Sequence, residues 1–396
     1  MANQVVRTES TGWFSRIVSA IKGVLVGLLL FVASFPLLFW NEGRAVRRAQ
    51  DLEEGRGAVI EATADAVRPA DEGKLVHLSG PATTTDALAD AELGPAAPGA
   101  LRLRRTVEMY QWKETKETRT EKNLGGSEQR TTRYTYALAW SAEPIDASRF
   151  EEPTGHQNPP MPVVSQTFDA ARVTVGARTL TADLVSQHNG FEALPVEPAQ
   201  APGLSRFGRP VARAAEGLFV GASSATPQLG DLRVTWERVP AGAVSVLAAQ
   251  RGATFAEWRT PSGRVLEQNL DAGTVTADGM IQSLELGNVF FTWLLRFAGW
   301  LAMFIGLVLI FKPLVVVADV VPFIGSLVGA GAGFVAFVIS APLSLLTIAL
   351  GWVFYRPLVG IALLVLGGGL AFVVGRLAVT RGRAKNAERQ AARAAA

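Results

Sequence analysis

"FPLLFWNEGRAVRR", residues Phe35 to Arg48, passes from apolar side chains to charge across one peptide bond, Trp40–Asn41. Tryptophan collects at the headgroup level of a bilayer because its ring is amphipathic, so the switch marks the end of a membrane span. Behind it, Gly23 to Trp40 ("GVLVGLLLFVASFPLLFW") contains no charged residue. A helix needs roughly 20 apolar residues to cross the hydrocarbon layer, and Pro36 is tolerable near the end of one. A signal peptide has a shorter apolar core and a small-x-small cleavage site. No such site follows, so 23–40 reads as a signal anchor and the first transmembrane helix. Ahead of it, Trp13, Ile17 and Ile21 recur every fourth residue with Arg16 and Lys22 off that stripe. This pattern predicts a short interfacial helix within a cytoplasmic segment, 1–22.

Three more apolar runs lie near the other end of the chain. Phe290 to Phe311 is closed by Lys312-Pro313, Val321 to Tyr355 is long for one span and carries Pro342 as a place to kink, and 357–375 follows "FYRP". The expectation is four spans: 23–40, 290–311, 321–355 and 357–375. Basic residues in short flanks set orientation. The tail, 376–396, holds Arg376, Arg381, Arg383, Lys385, Arg389 and Arg393 against Glu388, which places it in the cytoplasm. Four spans then return the N-terminus to the same side and leave 41–289 outside. Arg44, Arg47 and Arg48, just past the first span, pull the other way and are outweighed.

Bulk composition conceals this segregation. The chain has 396 residues, 38 Lys and Arg, 35 Asp and Glu, a net charge of +3 and no cysteine. So small a net charge gives no case for nucleic acid. The lack of cysteine excludes disulfides, thiolate metal sites and a cysteine nucleophile. Arginine exceeds lysine and alanine is abundant, which points to a GC-rich bacterial genome.

The segment 41–289 is far too long for a structureless loop, and strand signals dominate it. Thr106 to Trp112 ("TVEMYQW") and Thr131 to Trp140 ("TTRYTYALAW") flank a charged connection containing Gly125-Gly126. In the second run Tyr134, Tyr136, Leu138 and Trp140 share a face at period two, as in a half-buried strand. The pair predicts a long hairpin with a solvated tip. Gly230 to Val239 and Gly242 to Gln250 predict a second hairpin turned at Pro240-Ala241. Thr276 is placed to cap a short helix running to Gly287. The reading is an integral membrane protein: four transmembrane helices plus a large β-rich α+β extracytoplasmic domain between spans one and two.

Catalytic signals are weak. His77, His156 and His188 lie far apart without a second ligand at metal spacing, so each is assigned to a solvated polar position. "GAGAG" at Gly329 to Gly333 sits in an apolar span and lacks the lysine of a phosphate loop. No catalytic residue, cofactor or metal is assigned. The spans offer more. Gly325, Gly329 and Gly333 recur at four-residue spacing, which lets helix backbones approach closely. Arg296 stands about six residues inside the second span, either snorkelling to the headgroups or meeting a buried partner. Asp319 is the acidic residue nearest these spans.

"NEGRAV" after the first span, "GKLVHLSG" (Gly73 to Gly80), "LRRTVEMYQWKE" (Leu103 to Glu114), "RYTYALAW" and "GHQNP" (Gly155 to Pro159) succeed one another in order. "GDLRV", "AAQRG" (Ala248 to Gly252), "AGWLAMFIGL" (Ala298 to Leu307) and "GWVFYRPL" (Gly351 to Leu358) continue the series. Over nearly its whole length the chain resembles the transmembrane protein 43 (LUMA) family. The resemblance implies four spans and a large lumenal domain. Animal members sit in the endoplasmic reticulum and inner nuclear membrane, associate with lamina-linked proteins, help organise the membrane and self-associate. This chain lacks cysteine and ends in an alanine- and arginine-rich tail, so nuclear partners are not carried over. The matching motif residues Asn41, Glu42, Gly43, Arg44, Tyr110, Trp112, Tyr355 and Arg356 take architectural roles under the resemblance. The expectation is a non-enzymatic membrane scaffold that is a homo-oligomer, contacts membrane lipids and other membrane or envelope proteins, and binds no nucleic acid. The alternative is a cation channel or its regulatory subunit, for which Arg296 and Asp319 would matter. A bacterial inner membrane is the expected location.

Overall fold

A computed structural model describes residues 3–358 and residue 361. Its helices are α1 (Trp13–Ala58), the short α2 (Ala182–Gln187), α3 (Ala277–Ala318) and α4 (Pro322–Tyr355). Three of them, α1, α3 and α4, are long and apolar enough to cross a membrane. At 46, 42 and 34 residues they reach about 69, 63 and 51 Å, beyond the roughly 30 Å of hydrocarbon. Apolar side chains such as Leu25, Leu29, Phe290, Trp293 and Phe334 point outward from them, as lipid-facing residues do. Two expectations change here. No separate interfacial helix forms before the first span, because Trp13, Ile17 and Ile21 lie on the first turns of α1, which passes through Gly23 and Pro36 unbroken. Likewise α3 continues through Pro313 to Ala318 instead of closing at Phe311. The region 321–355 is one helix with Pro342 inside it. The expected fourth span, 357–375, and the basic tail lie outside the described residues.

The chain divides into two compact units. One holds the segment up to Thr11 together with Gln50–Lys122 and Glu128–Leu286; the other holds Gly12–Ala49, Asn123–Ser127 and the chain from Gly287. The first unit is the β-rich domain. Its strands include β1 (Gln4–Thr11), β2 (Leu75–Thr84), β3 (Arg102–Lys122), β4 (Glu128–Ser141), β5 (Val173–Val175), β6 (Val211–Ala214), β7 (Gly217–Val220), β8 (Leu232–Val239), β9 (Gly242–Arg251), β10 (Thr254–Ala256) and β11 (Asn269–Ala272). An eight-stranded sheet runs in the order β1-β4-β3-β8-β7-β6, and a seven-stranded sheet contains β5-β2-β9-β10 with β11 also on β9. Each sheet covers its own core. Leu103, Val107, Met109, Leu218, Val234 and Trp236 fill the first; Val76, Leu78, Val175, Val244, Val246 and Phe255 fill the second. A third cluster joins Leu52 of α1 and Met280 and Ile281 of α3 to Leu75, Leu247 and Trp258. The ends of both helices are thereby part of the domain's own core. Thr276 does cap α3, accepting from the Gly279 amide at 3.2 Å, yet the helix it starts runs on past Gly287.

The long hairpin is present: β3 pairs with β4 from Met109↔Ser141 to Lys122↔Glu128. The second expected hairpin is not. β8 ladders with β3 in one sheet while β9 ladders with β2 in the other. Pro240-Ala241 therefore carries the chain between sheets, since a proline without an N–H serves a crossing as well as a turn.

The histidines are buried, which corrects their assignment to solvated positions. His77 places Nδ1 2.7 Å from Glu61 Oε2 and Nε2 2.9 Å from the Val275 carbonyl. His156 stacks on Tyr136 at 4.1 Å and meets the Trp112 edge at 4.8 Å. Burial raises the Tyr136 phenol to about 12. His188 ends α2, and its pKa is held below the ordinary value by burial first and by the Arg102 charge second.

β1 was not among the expected strands. It is antiparallel to β4 from Gln4↔Thr135 to Thr11↔Glu128. Strands that share a hydrogen-bonded ladder share one compartment, so residues 4–11 are not separated by a membrane from 128–135. Charge bias near the spans cannot register such a pairing. The turn 123–127 also departs from the expected solvated tip. The Gly125 amide donates to the Val320 carbonyl at 3.0 Å, and Arg16 Nη1 donates to the Gly126 carbonyl at 2.6 Å.

Two outcomes follow. Single cysteines placed at the cross-strand partners Ser10 and Gln129, in a chain that has none, should react alike with a membrane-impermeant maleimide in intact cells. Opposite labelling would break the β1 assignment. A histidine whose folded-state pKa lies below its unfolded value near 6.5 contributes stability above that pH and loses it as pH falls toward the folded value. Melting of full-length His188→Gln should therefore drop less than wild type between pH 7.5 and 5.5.

Candidate functional site

Three helices of the second unit meet at Glu42. It follows the apolar run of α1 directly, so its carboxylate emerges at the end of the span. Arg296 of α3 donates from Nε to Glu42 Oε1 and from Nη2 to Oε2, both at 2.7 Å. Trp352 of α4 donates from its indole to Oε2 at 2.6 Å. The Glu42 side chain is 1% exposed and that of Arg296 12%. A forked guanidinium matches a carboxylate along two parallel bonds, and the indole donates to Oε2 as a second donor on that oxygen. Aromatic faces complete the enclosure, with the guanidinium 4.7 Å from the Trp293 ring and 5.5 Å from that of Trp352. Of the two expectations for Arg296, the buried partner is the one observed.

Glycines let the helices close around this pair. A Cβ at Gly351 would lie 2.9 Å from Glu42 Cβ and Cγ, and one at Gly43 would lie 2.4 Å from Tyr355 Cζ. Neither position has room for a side chain.

A hydrogen-bond net whose acceptors are neutral adjoins the ion pair. Asn41 Nδ2 donates to the Thr292 carbonyl at 3.1 Å, and Asn288 Nδ2 to the Ala45 carbonyl at 3.0 Å. Arg44 donates to Asn288 Oδ1 at 3.0 Å, Thr292 Oγ1 at 2.9 Å and Asn41 Oδ1 at 3.3 Å. The motif Asn41-Glu42-Gly43-Arg44 thus addresses α3 and α4 with alternate functions: bond, charge, contact, bond.

A second polar joint stands at the other end of the helices. Arg16 of α1, which is largely buried, is ion-paired with the fully buried Asp319 that follows α3. Trp13 Nε1 donates to the Val316 carbonyl at 2.9 Å. A Cβ at Gly325 would press on the Asp319 side chain.

The expected site residues are thus partly assembled. Asn41, Glu42, Gly43, Arg44, Tyr355 and Arg296 converge. Arg356 caps α4 and is exposed. Tyr110 and Trp112 belong to the domain, on β3, where Tyr110 packs 5.1 Å from Trp140. Of the glycine series, Gly325 meets Asp319, a Cβ at Gly329 would sit tightly against Val315 at 3.3 Å, and Gly333 has nothing within 4 Å. A close backbone approach between α1 and α3 is elsewhere: a Cβ at Gly27 would stand 2.7 Å from the Gly306 carbonyl oxygen, and a Cβ at Gly306 would stand 2.7 Å from that of Gly27. Trp352, Thr292 and Asn288 were missed. An acidic residue at one span's end and a basic one inside another was the available signal. Among the described residues no group of three His, Asp or Glu is arranged to hold a metal ion.

A family model, transmembrane protein 43, matches residues 109–357. Human transmembrane protein 43 is 37% identical over 97% of this chain and 96% of its own length. The mouse protein is 35% identical over 97% and 96%, and a Drosophila melanogaster homolog is 27% identical over 87% and 91%. No solved structure matches.

Removing one partner of a buried ion pair strands the other, at a cost of about 3–5 kcal/mol, whereas replacing both with apolar groups is often near neutral. Arg296→Met and Glu42→Met should each lower the midpoint of unfolding in detergent substantially. The double variant should recover most of the loss. Additive losses would mean that the pair contributes no mutual stabilisation.

Proposed function

The chain belongs to the transmembrane protein 43 family, and on that premise we propose that it is a non-enzymatic membrane scaffold. In this reading it self-associates and gathers other membrane or envelope proteins through the β-rich domain. The main body of that domain lies outside the cytoplasm of a bacterial cell, opposite the basic tail.

The observation that carries the reading is how the charged groups within the spans are used. Arg296 is engaged by Glu42 and Trp352, and Asp319 by Arg16. Each joins one helix to another, which supports a structural use of these charges. A conduction path needs polar groups that can exchange partners with a passing ion. The two residues that the channel alternative would rely on are held by protein partners instead.

The test uses full-length protein in liposomes. The scaffold reading expects cation flux at the level of empty vesicles, together with a crosslinkable oligomer. It expects Arg296→Met to weaken the oligomer and to leave flux at that level. Wild-type conductance that changes in Arg296→Met while the oligomer persists would replace this reading with the channel.

A further inference from the structure

Just beyond the ion pair, charge of one sign accumulates. Arg44, Arg47 and Arg48 follow on α1, and Arg356 ends α4. The Tyr355 ring lies against the Gly43 backbone and 5.8 Å from the Arg47 guanidinium, which brings the end of α4 to the same turn of α1. Glu42 is the carboxylate nearest Arg44 in sequence, and its oxygens are taken by Arg296 and Trp352; Asp51, the one nearest Arg47 and Arg48, is paired with Arg264. Among the described residues none of the four arginines forms an ion pair with a carboxylate. Arg44 has only neutral acceptors, and its Nε is buried with none at all. Arg47 and Arg356 are exposed and Arg48 is half-buried.

Depth decides what such a cluster meets. At about 1.5 Å per residue, Arg44 to Arg48 lie roughly 6–12 Å past Trp40. The headgroup zone extends about 5–8 Å beyond each face of the hydrocarbon, and arginine side chains reach several ångströms further. Exposed Trp40 and Trp293, with Tyr355, supply the aromatic belt of the same zone. Arginine presents a planar fork that fits phosphate oxygens two at a time. The anomaly of three arginines on the wrong side of the charge bias is then accounted for: their counter-charge belongs to the lipid.

We propose that Arg44, Arg47, Arg48 and Arg356 form a collar that binds the phosphate headgroups of anionic phospholipids. Arg47 and Arg48 present the accessible guanidinium groups. Arg44, tied to Asn41, Asn288 and Thr292, fixes the floor of the collar and raises the local potential.

The full-length protein is reconstituted in phosphatidylcholine bilayers containing spin-labelled phosphatidylglycerol or spin-labelled phosphatidylcholine, and the relative association of the two labels is measured. Each arginine near an anionic surface contributes about fivefold to association. Arg47→Gln/Arg48→Gln should therefore reduce the preference for the anionic label by up to about thirtyfold, toward that of the neutral one. Its melting in neutral detergent should match wild type, because neither side chain belongs to the hydrogen-bond net. The exposed Arg119→Gln on β3 should keep the full preference. Equal preference in wild type and the double variant overturns the proposal, as does an equal loss in Arg119→Gln. Loss of the preference in millimolar sodium phosphate, at ionic strength matched with chloride, would assign the collar to soluble phosphate and overturn the lipid assignment.

Discussion

An arginine inside a membrane span must find an anion, and Glu42 is the anion that Arg296 finds. A lone charge at the centre of a membrane helix costs on the order of 2.5–3.5 kcal/mol for insertion alone. Near the edge it can escape by extending to the headgroups. Arg296 does not escape: its guanidinium is turned onto α1, capped by indole rings, and closed off by α4. Both bonds, at 2.7 Å, tie the rotation of α1 to that of α3. The pair therefore selects an arrangement more than it adds stability, consistent with buried ion pairs that apolar residues can replace at little cost. Gly351, Gly43 and the Asn41–Thr292 bond all serve that arrangement.

The helices are held at both ends by polar joints and between them by close contact. Arg16–Asp319 fixes one end and Glu42–Arg296 the other. Gly27 and Gly306 allow backbone contact in the middle. In lipid, where apolar side chains gain nothing from leaving the solvent, small residues and interhelical polar bonds are the forces available. The domain is stabilised by the opposite means. Its cores are made of Val, Leu and aromatic side chains withdrawn from water, and it too holds a buried charge by pairing, with Arg105 between Asp90 and Glu92.

Features written in local sequence were legible. The grease-to-charge switch at Trp40, the period-two face of Tyr134 to Trp140 and the capping Thr276 each depend on neighbours within a few residues. Features made by distant segments were not. Pro240-Ala241 reads as a hairpin turn because sequence does not say which sheet each flank joins. His77, His156 and His188 read as solvated because burial is decided by strands far away, such as those that bring Tyr136 onto His156. The glycine series was legible as a pattern, yet the backbone contact of α1 with α3 used Gly27 and Gly306, one on each helix and in no shared repeat. The residues of the Glu42 site were named one by one; their meeting was not.

The two halves of the Glu42–Arg296 bond are 254 positions apart in the chain. At ribosomal speeds of about 5–20 residues per second, Arg296 leaves the ribosome roughly 13–50 seconds after Glu42. Throughout that interval the first helix carries an unpaired carboxylate at the membrane edge while an entire β domain is made and folded. Assembly of the helices is therefore a late event that waits on translation. The helix bearing Arg296 arrives as a cation in search of an acid that is already in place. Glu42 is a standing address for the second half of the protein, and any delay in the domain's synthesis lengthens the time for which that address stays open.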